Sequence, residues 1–279
     1  MDLKTALEHA VGVLTSRDVA SPRLAAEVLL MHALECDRAH LLAHPERVLT
    51  PDEANQYHSF VHERASGKPT QYITGHQEFW GLDFLVSEAV LIPRPETEHS
   101  VEAVLELVRA DSAIKKIVDV GTGSGCIALA LAKELTDREI HATDISEVAL
   151  AIAQDNAGRL NLERVQFRQC DLLSDVKAGI YDLIVSNPPY VGKDEPEKVQ
   201  KIVRDWEPEV AVFGGATGLE IYARLVPQAF NSLRSGGWLV MEIGFSIEQP
   251  IRNLLKDWSK VEVKPDLQGI PRVAIARKP

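Results

Sequence analysis

Two apolar runs of this chain end in segments that stop a strand abruptly, and each segment suits a ligand. Ile117 to Val120 leads into Gly121-Thr122-Gly123-Ser124-Gly125, with Asp119 just ahead of the glycines. Tyr181 to Ser186 leads into Asn187-Pro188-Pro189-Tyr190. Ligands of open α/β sheets collect outside the carboxyl ends of the strands, so both segments are expected to face one crevice. From Val101 onward helix and strand patterns alternate, as a doubly wound sheet requires.

The glycine loop excludes two common nucleotide sites. A dinucleotide fingerprint needs a glycine where Cys126 stands, and no Lys-Ser or Lys-Thr follows to make a phosphate-binding P-loop. Ser124 to Leu135 reads as a helix, which puts the loop at a helix N-terminus. Asp144, 21 residues after Gly123, ends the strand-like run Ile140 to Thr143. An acidic residue there can accept both ribose hydroxyls of an adenosine cofactor. Asp171, after Val165 to Cys170, is placed to accept from an adenine amino group with Leu172 against the ring. Either aspartate could instead cap the helical pattern that follows it.

The second segment offers acceptors. An Asn side-chain oxygen has two lone pairs, and a proline contributes a carbonyl with no N–H. Asn187 and the Pro188 carbonyl can thus each take one hydrogen of an incoming NH2 group, while Pro188 and Pro189 stiffen the turn. Tyr190 offers a face for a flat group to stack on. An amide nitrogen is a poor nucleophile because its lone pair is delocalised. Two fixed acceptors would orient it and stabilise the positive charge that develops, and losing one such partner costs about 3–4 kcal/mol of barrier. An isolated Asn-Pro-Pro would read as a stiffened turn; beside this glycine loop it points to methyl transfer onto nitrogen.

Residues 1 to about 70 read as a small helical domain. Leu3, Leu7, Ala10 and Leu14 recur at helical spacing, Ser21-Pro22 gives an N-cap and first-turn proline, and Thr50-Pro51-Asp52-Glu53 supplies a capping box. Residues 71–92, with Phe79, Trp80, Leu82, Phe84 and Val86, read as a β-hairpin connector, and 93–279 as the sheet domain. Val261 to Val263 and Val273 to Ala276 read as a terminal strand pair. Gly192 to Lys201 is a charged stretch that reads equally as a flap over the pocket or a solvated loop.

Composition limits the functional classes. A hydrophobic share of 45% and a charged share of 25% are ordinary for a soluble globular protein. The net charge of −11, from 41 acidic and 30 basic residues, opposes a broad surface for phosphate backbones. Cys36, Cys126 and Cys170 show neither a disulfide framework nor a paired metal spacing, so reduced thiols in a cytoplasmic protein are expected. His58 and His62 with Glu63 lack the His-Glu-x-x-His order and a third ligand, so no metal site is expected. No leader pattern or membrane-length apolar run is present.

Nearly end to end, the chain resembles the PrmC/HemK protein-(glutamine-N5) methyltransferases. The resemblance rests on Ser21-Pro22-Arg23-Leu24 through Leu30, Gly67-Lys68-Pro69-Thr70-Gln71-Tyr72, Glu78-Phe79-Trp80-Gly81 and Leu91-Ile92-Pro93-Arg94-Pro95-Glu96-Thr97-Glu98. It continues through Asn187 to Tyr190, Glu207-Pro208, Gly214 to Leu219, Glu242-Ile243-Gly244, and Asp266 to Gly269 with Arg272. Asn-Pro-Pro-Tyr alone is shared with adenine N6-methyltransferases; combined with the Pro-Arg-Pro-Glu-Thr-Glu block it is specific. One departure is Phe245 to Gln249, where the family places its glutamine nearer the Glu-Ile-Gly.

The resemblance implies a Rossmann-like class I methyltransferase sheet closed by an antiparallel strand pair, with a small N-terminal helical domain that docks the substrate. It implies S-adenosylmethionine as cofactor, S-adenosylhomocysteine as product, and the Gly-Gly-Gln glutamine of bacterial release factors as acceptor, handled by a cytoplasmic monomer. Asp119, Gly121, Thr122, Gly123, Ser124, Gly125, Asp144, Asp171, Leu172 and Asn187 would hold the cofactor. Asn187, Pro188, Pro189 and Tyr190 would hold the amide, with Arg94 and Glu96 at the pocket edge. Asn187, Pro188 and Tyr190 would serve catalysis.

Two other readings stand beside this one. The acceptor could be a ribosomal-protein glutamine, or adenine N6 in a nucleic acid. An adenine enzyme needs a base-flipping pocket and a basic channel or added domain, and this acidic chain shows little room for the last two. A nicotinamide oxidoreductase or noncatalytic nucleotide module is opposed by Cys126 and Asn-Pro-Pro-Tyr.

Overall fold

The structure, a computed structural model, describes residues 1–194 and 200–279. It divides into two compact units, Met1–His76 and Gln77–Pro279.

The first unit holds α1 (Leu3–Thr15), α2 (Pro22–Leu34), α3 (Arg38–Ala43), α4 (Pro51–Ala65) and α5 (Thr70–Thr74). The stripe of Leu3, Ala6, Ala10 and Leu14 packs with Ala26, Leu29, Leu30, Tyr57 and Val61 in one core. Buried Tyr57 donates its hydroxyl to the Ala26 carbonyl at 3.1 Å, which joins α4 to α2 and spares the unit an unpaired polar atom. Asp2 caps α1 and Asp37 caps α3, each accepting from a backbone N–H three residues on. The capping box of α4 is complete: Glu53 N–H donates to Thr50 Oγ1, and Thr50 N–H donates to Glu53 Oε2. Thr50→Ala is therefore expected to destabilise this unit by about 0.5–2 kcal/mol, read from the midpoint of chemical denaturation. Ser21 departs from expectation. It is left-handed at φ 50° and its side chain caps nothing. The proline after it disfavours right-handed helical backbone, and the chain here turns through the left-handed region.

In the second unit a hairpin, β1 (His76–Phe79) and β2 (Leu82–Leu85), turns through Trp80 and Gly81 at φ 55° and 65°. Positive φ at both central residues is the type I′ signature, whose twist matches that of paired strands. The hairpin is shorter than the span from 71 to 92, because α5 takes up residues 70–74. Asn156 anchors it: its Oδ1 accepts from Leu85 N–H at 2.7 Å, and its Nδ2 donates to the carbonyls of Leu85 and Ser124 at 3.0 and 2.9 Å.

A 3-10 turn (Pro95–Thr97) then leads into α6 (Glu98–Ala110). The alternation that follows is β3 (Lys116–Val120), α7 (Cys126–Glu134), β4 (Glu139–Asp144), α8 (Glu147–Arg159), β5 (Gln166–Gln169) and β6 (Tyr181–Ser186). Next come α9 (Lys201–Trp206), α10 (Glu209–Val212), α11 (Glu220–Ser232), β7 (Leu233–Glu242), α12 (Glu248–Leu254), β8 (Ser259–Pro265) and β9 (Pro271–Arg277). The sheet order is β5-β4-β3-β6-β7-β9-β8. Its first five strands run parallel, and β9 enters antiparallel between β7 and β8.

Strands β3 and β6 are buried on both faces, which explains their continuous apolar runs: Ile117, Val118, Val120, Leu183, Ile184 and Val185 are wholly covered. Each such side chain contributes about 1.5–3 kcal/mol through burial. One face packs on α6 and α7, the other on α11 and α12. The strand order reverses between β3 and β6, where Val120 lies opposite Ser186. The glycine loop and Asn187 thus leave adjacent strands at the topological switch point.

Candidate active site

Outside the ends of β3, β4 and β6 lies a cavity of about 260 Å3, lined by Gly121 to Ser124, Asp144 to Ser146, Cys170 to Leu172, Asn187 and Pro189. Ala89 to Leu91, Pro93, Arg94 and Thr97 form another wall, and Val210, Ala211, Ile221 and Arg224 a further one.

The glycine loop is shaped by its neighbours. Gly121 and Thr122 donate their N–H groups to the Thr143 carbonyl, which folds the loop over β4. Gly121 and Gly123 have φ of 73° and 55°, and a Cβ at either would meet nothing within 4 Å. The loop therefore presents bare backbone to open space. Asp144 accepts from Gly123 N–H and Ser146 N–H at 2.9 Å, one at each oxygen, and keeps lone pairs for hydroxyl donors. Burial raises its carboxyl pKa, and those backbone donors pull it back. Asp171 lines the cavity but is paired with Arg224. Ser124 Oγ is buried and finds no partner among the described residues. A cradle of bare backbone, an acidic acceptor and an orphan hydroxyl fits an adenosine cofactor.

Two residues assigned to the cofactor stand behind the cavity. The Asp119 carboxylate, 1% exposed, accepts from Thr122 Oγ1 at 2.6 Å and Ala128 N–H at 3.2 Å. It ties the loop to α7 and does not line the pocket. Burial pushes its carboxyl up to about 7, against those two donors. Gly125 is needed for packing, since a Cβ there would sit 3.1 Å from Ala153 Cβ on α8.

On the other strand, Asn187 Nδ2 donates to Thr97 Oγ1 at 3.0 Å, and the Thr97 hydroxyl donates to Glu242 Oε2 at 2.7 Å. Pro189 lines the cavity; Pro188 and Tyr190 do not. Tyr190 instead packs against Gly244, where a Cβ would come within 2.7 Å of its Cδ2. The aromatic ring is thus seated against the segment that follows β7. Gly244 does not have a positive φ, so Gly244→Ala carries no left-handed penalty beside this ring contact. It is expected to cost about 1–3 kcal/mol of stability by overpacking and to lower turnover as the turn shifts, measured by thermal denaturation and initial rates.

Arg94 lines the cavity and is ion-paired to buried Glu207, which also accepts from Ile92 N–H at 3.3 Å. Burial raises the Glu207 carboxyl and the Arg94 charge opposes that. Glu96 is off the cavity wall. After Tyr190 the chain runs beside 212–215: Val191 N–H donates to Val212 and Gly214 N–H to Val191. A Cβ at Gly214 would strike the Pro189 carbonyl and one at Gly218 the Tyr190 carbonyl. Close approach explains these glycines. Residues 195–199 of the proposed flap lie outside the described residues.

Two family descriptions match the chain, "PrmC N-terminal domain" over residues 5–75 and "Methyltransferase small domain" over 96–207. A release factor glutamine methyltransferase of Koribacter versatilis is 55% identical, with 100% of this chain and 99% of the relative aligned. One from Moorella thermoacetica is 43% identical over 99% of this chain and 98% of its own. The chain belongs to the release factor glutamine methyltransferase family.

Solved structures agree on the fold alone. A human methyltransferase 10 domain containing protein superposes with a TM-score of 0.53 at 22% identity, over 71% of this chain and 89% of its own. The human Mettl16 catalytic domain, in complex with MAT2A 3′UTR hairpin 6, gives 0.58 at 21%, over 78% and 81%.

The contacts already described give the remaining motif residues their place. Glu207, Gly214, Gly218, Glu242 and Gly244 surround the Asn-Pro-Pro-Tyr turn or its supports. A charged residue closing the apolar strand Trp238 to Glu242 was the visible signal for one of them. Phe245 is exposed and Ser246 turns at φ 76°, so the departure after Gly244 is a surface turn ahead of α12. Among the described residues no helix is long and apolar enough to cross a membrane.

Proposed function

We propose that this protein methylates the side-chain amide nitrogen of the glutamine in the Gly-Gly-Gln motif of release factors, using S-adenosylmethionine. The observation carrying this reading is the convergence of the glycine loop and Asn187 on one cavity at the switch point. The names of the relatives, aligned over nearly their whole lengths, supply the acceptor.

S-Adenosylmethionine, when bound, supplies an electrophilic methyl group on a sulfonium sulfur. Asp144 would accept the ribose hydroxyls, the loop from Gly121 to Ser124 would offer its backbone, and Leu172 would flank the adenine. Asp171, held by Arg224, would offer its carboxylate to the adenine amino group. Asn187 Oδ1 at the cavity wall would accept one amide hydrogen and the Pro188 carbonyl, next in the chain but off that wall, the other, which would aim the nitrogen lone pair at the methyl. Methyl transfer to that nitrogen would leave S-adenosylhomocysteine as product and one amide proton to be shed. The N-terminal helices dock the release factor, and the enzyme works as a cytoplasmic monomer without direct nucleic-acid contact.

The test is mass spectrometry of a release factor's Gly-Gly-Gln peptide after incubation with protein and cofactor. One added methyl on the glutamine is expected. An unmodified peptide, with cofactor binding demonstrated, would overturn the acceptor.

A further inference from the structure

The contacts of Asn187 form a chain that ends on a buried carboxylate. Glu242 is 1% exposed, closes β7, and accepts a hydrogen bond from the Thr97 hydroxyl at 2.7 Å. Its backbone carbonyl is fixed by Tyr222 OH at 2.7 Å. Thr97 is 2% exposed and accepts from Asn187 Nδ2. An ionised carboxylate only accepts, and a hydroxyl has one proton to give. While Glu242 is charged, Thr97 must donate toward it and can only accept from Asn187. The Asn187 NH2 is then turned inward, and Oδ1 is left for the substrate. Should Glu242 take up a proton, it can donate to Thr97. Thr97 is then free to donate toward Asn187, the amide can flip, and two NH2 groups would meet.

We propose that Glu242 and Thr97 are positioning residues that hold the Asn187 amide in its accepting orientation, and that protonation of Glu242 releases it. This rests on the methyl-transfer reading of the site. The groups facing Glu242 are Arg272 on β9, Arg94 and Glu96 ahead of α6, Tyr190 after β6, Tyr222 on α11 and Cys126 on α7. Burial pushes the Glu242 carboxyl up to about 7, against the Thr97 bond and the charge of Arg272. The accepting orientation is thus held above that pH and lost below it.

The test pairs Thr97→Val, which keeps shape and removes the relay, with Thr97→Ser, which restores the hydroxyl. In 15N spectra of the whole protein, the Asn187 side-chain NH2 peaks, identified by their loss in Asn187→Ala, should shift with a midpoint near pH 7. They should stay still in Thr97→Val. On the release-factor peptide at pH 8, Thr97→Val should lower kcat at least tenfold with the cofactor Kd within threefold, and Thr97→Ser should recover kcat to within threefold. Peaks that titrate alike in Thr97→Val, or a Thr97→Val kcat within twofold of wild type, would overturn the relay. A peptide left unmethylated by the wild-type protein overturns the acceptor reading alone, and the amide titration still decides the relay.

Discussion

Asn187→Ala is expected to lower kcat by about 10²–10³-fold while leaving the cofactor Kd within a few-fold. The estimate follows from removing one preorganised partner of a developing charge, worth about 3–4 kcal/mol. Asn187 meets the cavity at the end of β6, and its side chain is anchored on one side by Thr97. Truncation leaves the strand and the proline turn in place, so the loss should fall on turnover and not on folding. Single-turnover rates with saturating cofactor, beside a calorimetric Kd, separate the two. A variant that loses cofactor affinity and rate together would show that Asn187 holds the cofactor first.

Asp144→Ala is expected to raise the cofactor Kd by about 10–100-fold, from the roughly 1.5–3 kcal/mol carried by hydrogen bonds to a charged group. The carboxylate has two tasks. It accepts from Gly123 and Ser146 N–H, which shapes the loop, and its remaining lone pairs face the cavity. Asp144→Asn removes the charge and leaves one acceptor oxygen for the two backbone N–H groups, so by calorimetry it is expected to weaken binding less than Asp144→Ala does. If both variants bind the cofactor as the wild type does, Asp144 is only a brace for the loop.

What could be read in the chain was set by how local its cause is. Gly121 to Gly125 and Asn187 to Tyr190 interrupt apolar runs within a few residues, and the structure puts them on adjacent strands as expected. The capping box at Thr50 lies within four residues and is found. The Ser21-Pro22 pair looked like a cap, but a left-handed φ removes the side chain from the helix N–H groups. The seating of the Tyr190 ring depends on Gly244, 54 positions away, which no local pattern announces. Thr97 and Glu242 are separated by 145 residues, and no spacing rule connects them. Asp119 neighbours the loop in sequence, which suggests a ligand. Its burial beneath that loop is a property of the packed sheet.

The three bonds of Asn156 couple pieces of chain that are 71 and 32 residues apart from it. Through this one amide the β2 end of the hairpin and the carbonyl of Ser124 share a fastening on α8. Ligand occupancy of the glycine loop should therefore slow the opening of a region that touches no ligand. Amide hydrogen exchange at Leu85 would carry the signal, its N–H being released only when the Asn156 fastening breaks.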